Sequence, residues 1–112
     1  MKKFLIYLSV AIMQIMTAFA AEKTESFIVY GNCGMCKKTI EKAVNTLEGI
    51  KTVSWSKKTK KLSVTFDDTH TSLAAIKKSI ADSGYDMEDI RASDEAYSSL
   101  HTCCQYDRPA KK

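Results

Sequence analysis

Five side chains in this sequence are built for soft-metal or disulfide chemistry. They are Cys33 and Cys36, spaced C-x-x-C, and His101, Cys103 and Cys104 near the C-terminus. Cys33-Gly34-Met35-Cys36 falls where a strand pattern gives way to a helical one, so both thiols can point into one small volume at the surface. A helix N-terminus favours negative charge, and thiolate is the form that binds metal. Two sulfurs with few competing oxygen ligands select copper(I), zinc or similar thiophilic ions over magnesium or calcium. Gly34 is expected to let the loop bend tightly around the ion. Met35, between the cysteines, should face solvent or the ion. Two other uses of the pair stand beside metal binding. One is a closed disulfide, natural in an exported chain. The other is a thiol-disulfide oxidoreductase, since thioredoxin-like proteins also start a helix with C-x-x-C. Those proteins usually carry an aromatic before the first cysteine and often a proline inside the pair. Asn32 and Gly34-Met35 match neither pattern.

The tail offers a second set. Tyr97, Leu100, His101 and Cys104 recur at helical spacing, which predicts a short amphipathic helix with His101 and Cys104 on one face. Cys103 would be rotated by about 100° from Cys104. An imidazole beside two thiols is a plausible zinc or copper ligand set. A disulfide between adjacent residues would be strained, which leaves ligation, pairing elsewhere, or plain apolar packing. Pro109 and the lysines after it read as a frayed end.

The elements that must position these groups follow from periodicity. Ser26 to Tyr30 reads as a buried strand and Gly31 to Gly34 as a turn. Cys36, Ile40, Ala43, Val44 and Leu47 share one helix face, and Gly49 closes that helix. Val53 and Trp55, then Leu62, Val64 and Phe66, alternate with polar residues as two half-buried strands joined at Lys57-Lys58-Thr59-Lys60. Leu73, Ile76 and Ile80 mark a second helix, capped at Thr71 or Ser72 and stopped at Gly84. Asp86 to Ala92 is expected as a weaker final strand. The order is β-α-β-β-α-β, an α+β ferredoxin-like sandwich with a short C-terminal helical tail. In that topology the last strand runs away from the cysteine loop, so the tail should start at the far pole. About 16 Å of helix, roughly one strand length, would bring it back. The same topology sets Lys57, Lys58, Lys60 and Lys61 beside Lys37 and Lys38; such a rim suits an acidic partner, though a lysine run is more often only a solvated face. Trp55 reads as sheet packing.

The chain of 112 residues is too short for more than one compact domain. Lys2 and Lys3, the apolar run Phe4 to Met16 and Ala18-Phe19-Ala20 predict a signal peptide over residues 1–20. An uncleaved membrane anchor is the competing reading. Cleavage removes two lysines and no acids, halving a net charge of +4, which gives no reason to expect nucleic acid. The domain is expected over residues 25–92 and the tail over 93–112. No nucleophile-base-acid set and no phosphate-cradling glycine loop is present, so the chain is not expected to be an enzyme.

The sequence resembles the heavy-metal-associated domain, shared by copper chaperones, modules of P-type ATPases and periplasmic mercury-binding proteins. The resemblance rests on G-N-C-G-M-C-K-K-T-I-E at Gly31 to Glu41, G-I-K-T-V at Gly49 to Val53, and S-G-Y-D-M-E at Ser83 to Glu88. It implies that Cys33 and Cys36 are ligands and places Tyr85 in a loop close to the ion. One position departs from the pattern: Gly31 stands where the family usually has a packing methionine. The expectation is an exported, periplasmic, monomeric carrier of a soft ion, copper(I) first, then zinc or mercury(II). It would exchange that ion through cysteine thiolates with a metal-transporting membrane protein or another metal carrier.

Overall fold

The computed structural model describes residues 21–110; the expected signal peptide lies outside them. Three strands, β1 (Glu22–Ile28), β2 (Ile50–Trp55) and β3 (Lys61–Asp67), form an antiparallel sheet in the order β1-β3-β2. Two helices, α1 (Gly34–Asn45) and α2 (Leu73–Asp82), are inserted in the ferredoxin-like order. β3 lies in the middle because it carries the strictest alternation: Leu62, Val64 and Phe66 are all buried. They share one core with Ile40 and Val44 of α1 and Ile76 and Ile80 of α2. Removing one such buried aliphatic side chain costs about 2–5 kcal/mol. Trp55 is buried in the same core, as its place in the strand pattern indicates.

β1 begins earlier than the expected Ser26. Glu22 to Glu25 pair through the backbone with Asp67 to Val64, and an exposed edge needs no apolar side chains to do so. Thr24 and Thr65 hydrogen-bond across the outer face at 2.9 Å, an ordinary cross-strand pair. α2 begins as expected, with the Ser72 hydroxyl accepting from the Ala75 amide at 3.1 Å.

The expected final strand does not form. Among residues 86–92 the sheet contact is a single bridge, Val29 to Met87, supported by the Tyr30 amide donating to the Asp86 carbonyl at 2.9 Å. The chain then curls back: the Met87 amide donates to the Ile90 carbonyl, and the Ala92 amide to the buried Asp86 carboxylate at 2.7 Å. Glu88-Asp89 gives no apolar alternation to hold a ladder, and acidic residues are poor strand formers. The tail therefore starts near the cysteine loop and not at the far pole.

The expected tail helix is also broken. It divides into α3 (Asp94–Ser98) and a 3-10 turn over Thr102–Cys104. Gly84, in a left-handed conformation at φ +105°, makes room for α3; a Cβ there would lie 2.7 Å from the Ala96 carbonyl oxygen. No helix among the described residues is long and apolar enough to cross a membrane.

Candidate metal centre

The loop that carries the cysteine pair is fixed from both sides. Ahead of it, the Val29 amide donates to the Lys60 carbonyl at 2.8 Å, and Tyr30 is tied to Asp86. This also sets the lysine-rich β2–β3 turn beside the cysteine loop. Beneath it, Gly31 is buried against the Trp55 indole. A Cβ at Gly31 would meet two indole carbons at 3.0 and 3.1 Å and the Cys36 Cβ at 3.4 Å. The bulk missing at Gly31 is thus supplied from the sheet by Trp55, whose Nε1 donates to the Val29 carbonyl at 2.9 Å. Gly34 does not play the part expected of it: it is the first residue of α1, without a left-handed φ, and a Cβ there would touch nothing within 4 Å.

Cys33 is the N-cap of α1 and Cys36 lies in its first turn. Their sulfurs are 3.4 Å apart, well beyond the bond length of about 2.05 Å in a disulfide, and all four cysteines are free thiols. Cys36 is fully buried and donates to Asn32 Oδ1 at 3.2 Å; Cys33 is half-buried. Burial pushes the Cys33 thiol up, but hydrogen bonds from the Cys36 backbone, the Cys36 and Cys104 thiols and the Met35 backbone outweigh it. The net effect brings Cys33 down from 9.0 to about 7, so thiolate is abundant at neutral pH. An ion bound to two sulfurs in a straight line needs them about 4.6 Å apart, given metal–sulfur bonds of about 2.3 Å. At 3.4 Å the pair instead suits a bent arrangement that leaves room for further ligands.

The tail supplies candidates. Cys104 Sγ lies 3.8 Å from Cys33 Sγ, and Cys103 Sγ lies 3.9 Å from Cys104 Sγ. The sulfurs of Cys33, Cys103 and Cys104 all fall within 4.8 Å of one another. Three sulfurs around one ion at about 2.3 Å would be spaced about 3.8–4.0 Å apart, close to these separations. Cys104 is buried, and burial, followed by the neighbouring Cys36, Cys33 and Cys103 thiols, raises its pKa strongly. The raised pKa favours its neutral thiol form, 3.8 Å from Cys33 Sγ.

A strap of residues after Ala92 holds Cys104 there. Arg108 makes a two-pronged ion pair with the buried Asp86 carboxylate at 2.8 and 2.9 Å. Its Nη1 donates to Asp94 at 2.7 Å, and Nη2, already on Asp86, also donates to the Ala92 carbonyl at 2.7 Å. The Tyr106 hydroxyl donates to the Gly84 carbonyl at 2.9 Å and accepts from the Asp86 amide at 2.7 Å. Its ring stacks on Tyr85 at 5.7 Å and meets Tyr97 edge-on at 5.1 Å. The Arg91 guanidinium donates to the Pro109 carbonyl at 2.6 Å. The chain is thus tied down as far as Pro109; the lysines at 111 and 112, expected to fray, lie outside the described residues.

The other expected site residues are placed unequally. Met35 is exposed, with its sulfur 3.6 Å from Cys103 Sγ. Tyr85 is fully buried behind the pair; its hydroxyl has no hydrogen-bond partner, and burial, then the adjacent Cys36 thiol, pushes its pKa up. His101 is not brought to the thiols. It caps the 3-10 turn with its backbone, accepting from the Cys104 amide at 2.8 Å, while its side chain is exposed. The residues that sequence reasoning missed are Asp86, Tyr97, Tyr106 and Arg108. Two tyrosines in the tail, Tyr97 and Tyr106, were the available signal, since disordered segments are poor in aromatics.

An α+β sandwich with a C-x-x-C pair at the junction of its first strand and first helix defines a class of small thiol-site domains. The profile of the heavy-metal-associated domain matches residues 32–86. The mercuric transport protein periplasmic component of Pseudomonas aeruginosa is 36% identical over 86 residues, 76% of this chain and 93% of that one. The copper chaperone CopZ of Staphylococcus aureus is 32% identical over 56 residues, 50% of this chain and 82% of that one. The crystal structure of oxidised MerP from Ralstonia metallidurans matches with a TM-score of 0.56 and 35% identity, covering 62% of this chain and all of that one. The chain belongs to the heavy-metal-associated domain family.

Proposed function

We propose that this protein is an exported, periplasmic carrier that sequesters a soft metal ion, copper(I) first, on Cys33 and Cys36 with Cys104 and Cys103 as further ligands. The observation that carries this reading is the convergence of the thiols from the two ends of the domain. Mercury(II) is the second reading, favoured by the mercuric transport relatives, whose length the chain spans almost entirely. Zinc is third. His101, exposed and apart from the thiols, is not included in the ligand set.

Transfer proceeds by ligand exchange. A partner thiolate enters the coordination sphere as Cys33 or Cys36 leaves, so the ion is never free. Cys103 is exposed and Cys33 half-buried, whereas Cys36 and Cys104 are buried, so the incoming sulfur approaches from the Cys33–Cys103 side. A strap closed over the pair slows that exchange and suits holding an ion more than rapid handoff. The partner is a metal-transporting membrane protein or another carrier, and the adjacent lysines suit an acidic docking face. A Cys33 thiol near 7 would also serve disulfide exchange, the alternative reading; four clustered thiols and family membership support the carrier.

Replacing Cys33 and Cys36 together by serine tests this. Affinity for copper(I) and mercury(II), measured by competition with a chelator, should fall about a thousandfold or more, about 4 kcal/mol, with the far-ultraviolet circular dichroism preserved. Unchanged affinity contradicts the reading. Insulin reduction that depends on Cys33, with no metal retained at equimolar supply, supports the oxidoreductase instead.

A further inference from the structure

The sulfur atoms do not stop at the four thiols. The Met35 thioether lies 3.6 Å from Cys103 Sγ, and both side chains are exposed. Cys103 belongs in turn to the mutually close group with Cys33 and Cys104. Met35 is the second residue of α1, and its sulfur reaches the 3-10 turn that carries Cys103. A single exposed methionine needs no special account. A thioether set against an exposed thiol, at the mouth of a thiol cluster, does, because both sulfurs are soft-metal donors.

The geometry of this pair suits capture more than storage. At a separation of 3.6 Å, with metal–sulfur bonds of about 2.3 Å, the two sulfurs subtend about 100° at an ion between them. That angle is too bent for an ion with no other ligand. It leaves a third position open for the ligand that the ion arrives with. The protonation chemistry points the same way. A cysteine must lose its proton to bind, whereas a thioether has none to lose. Met35 can therefore engage an incoming ion at once, and its neutral sulfur lets go more readily than a thiolate.

Resting on the carrier reading above, we propose that Met35 and Cys103 form the entry port of the metal site. A single copper(I) ion is first held between Met35 Sδ and Cys103 Sγ, then passes to the thiols behind them. In each step one sulfur bond forms as one ligand bond breaks. The donor's ligand leaves as Cys33 or Cys104 binds, and the thiol proton goes to solvent or to the departing ligand. The ion stays copper(I) throughout. Met35 releases it once the thiolates have it, so the thioether is a loading ligand and not a resident one. It speeds exchange in both directions and adds nothing to the equilibrium affinity.

Anaerobic stopped-flow transfer of copper(I) from a coloured chelator to the reduced protein reads the loading rate, and equilibrium competition with the same chelator reads the affinity. Met35→Leu keeps the apolar volume and removes the sulfur. It should slow loading about tenfold or more and slow release by the same factor, with affinity unchanged within about twofold. Loading of Met35→Leu at the wild-type rate overturns the entry port. If Met35→Ala alone were slow, position 35 would supply packing and not sulfur, and the port would fall as well. A loss of affinity as large as the loss of rate would make Met35 a resident ligand and also overturns it. A wild type that takes no copper(I) from the chelator would instead overturn the carrier reading beneath the proposal.

Discussion

The cysteine loop and the C-terminal strap meet at one cluster of sulfurs but are held by opposite means. The loop is shaped by sterics: Gly31 lies under the Trp55 indole, Cys33 caps a helix, and Cys36 is sealed in the core. The strap is held by polar and aromatic contacts: Arg108 on the buried Asp86, and Tyr106 between Tyr85 and Tyr97. Packing cannot be released without unfolding the loop. Tyr106 and Cys104 of the strap also reach into the core, so its release exposes apolar surface as well as breaking the Arg108 ion pair; it is nevertheless the part expected to open first. The difference makes the loop the fixed side of the sulfur cluster and the strap the side that can move away.

The largest effect expected from breaking this contrast comes from Arg108→Ala. It leaves the Asp86 carboxylate buried and unpaired, and loss of one partner from a buried pair costs about 3–5 kcal/mol. The expected result is an undocked strap on a folded domain. Hydrogen exchange should rise over residues 94–109 and stay slow in β3, and Cys104 should alkylate rapidly. Uniform loss of protection would show instead that strap and domain unfold together.

A smaller effect is expected in the loop. Gly31→Ala puts a methyl group 3.0 Å from the indole, and overpacking of this kind costs about 1–3 kcal/mol. Gly34→Ala should change stability by no more than about 0.5 kcal/mol, because its Cβ position is open. Chemical denaturation of the two variants separates them; equal effects would mean that Trp55 does not set the loop.

The smallest effect at neutral pH is the titration of Asp86. Burial raises its pKa, but the hydrogen bonds from Arg108 and the Ala92 amide, together with the nearby guanidinium charges, outweigh burial and hold it below 3.8. A carboxylate depressed in the folded state contributes stability that is complete above its unfolded pKa and is lost as pH falls through the folded one. Strap docking should therefore be constant above about pH 5 and weaken in more acidic solution. Tyr106 resonances in a pH titration report this directly, and undocking between pH 5 and 7 would contradict the Asp86–Arg108 clamp.

How far each region was legible follows from how each is held. The α+β class, the alternation in β2 and β3, the Ser72 cap and the Cys33–Cys36 loop are local patterns, and all are found. The signals for Trp55 and Gly31 were both visible but separate in sequence, so their complementarity emerged only in three dimensions. Asp86 to Ala92 misled because the expected topology called for a strand, while Glu88-Asp89 and a carboxylate that bonds its own segment favour a turn. The strap's sequence predicts only a short helix and a frayed end, because its contacts, such as Arg108 to Asp86, are long-range and leave no periodicity.

The convergence of tail and loop on one ion is tested most directly by X-ray absorption at one equivalent of copper(I). The intact protein and Cys104→Ala should be compared, with Cys103→Ala as a check on the neighbouring thiol. With Cys104 as the third ligand of the Cys33–Cys36 pair, the intact protein should show three sulfurs per copper. Cys104→Ala should show two, with shorter copper–sulfur distances, and Cys103→Ala should show the same fall if Cys103, not Cys36, completes the group of three with Cys33 and Cys104. Two sulfurs in both the intact protein and Cys104→Ala would contradict the closed site and leave Cys33 and Cys36 as the whole of it.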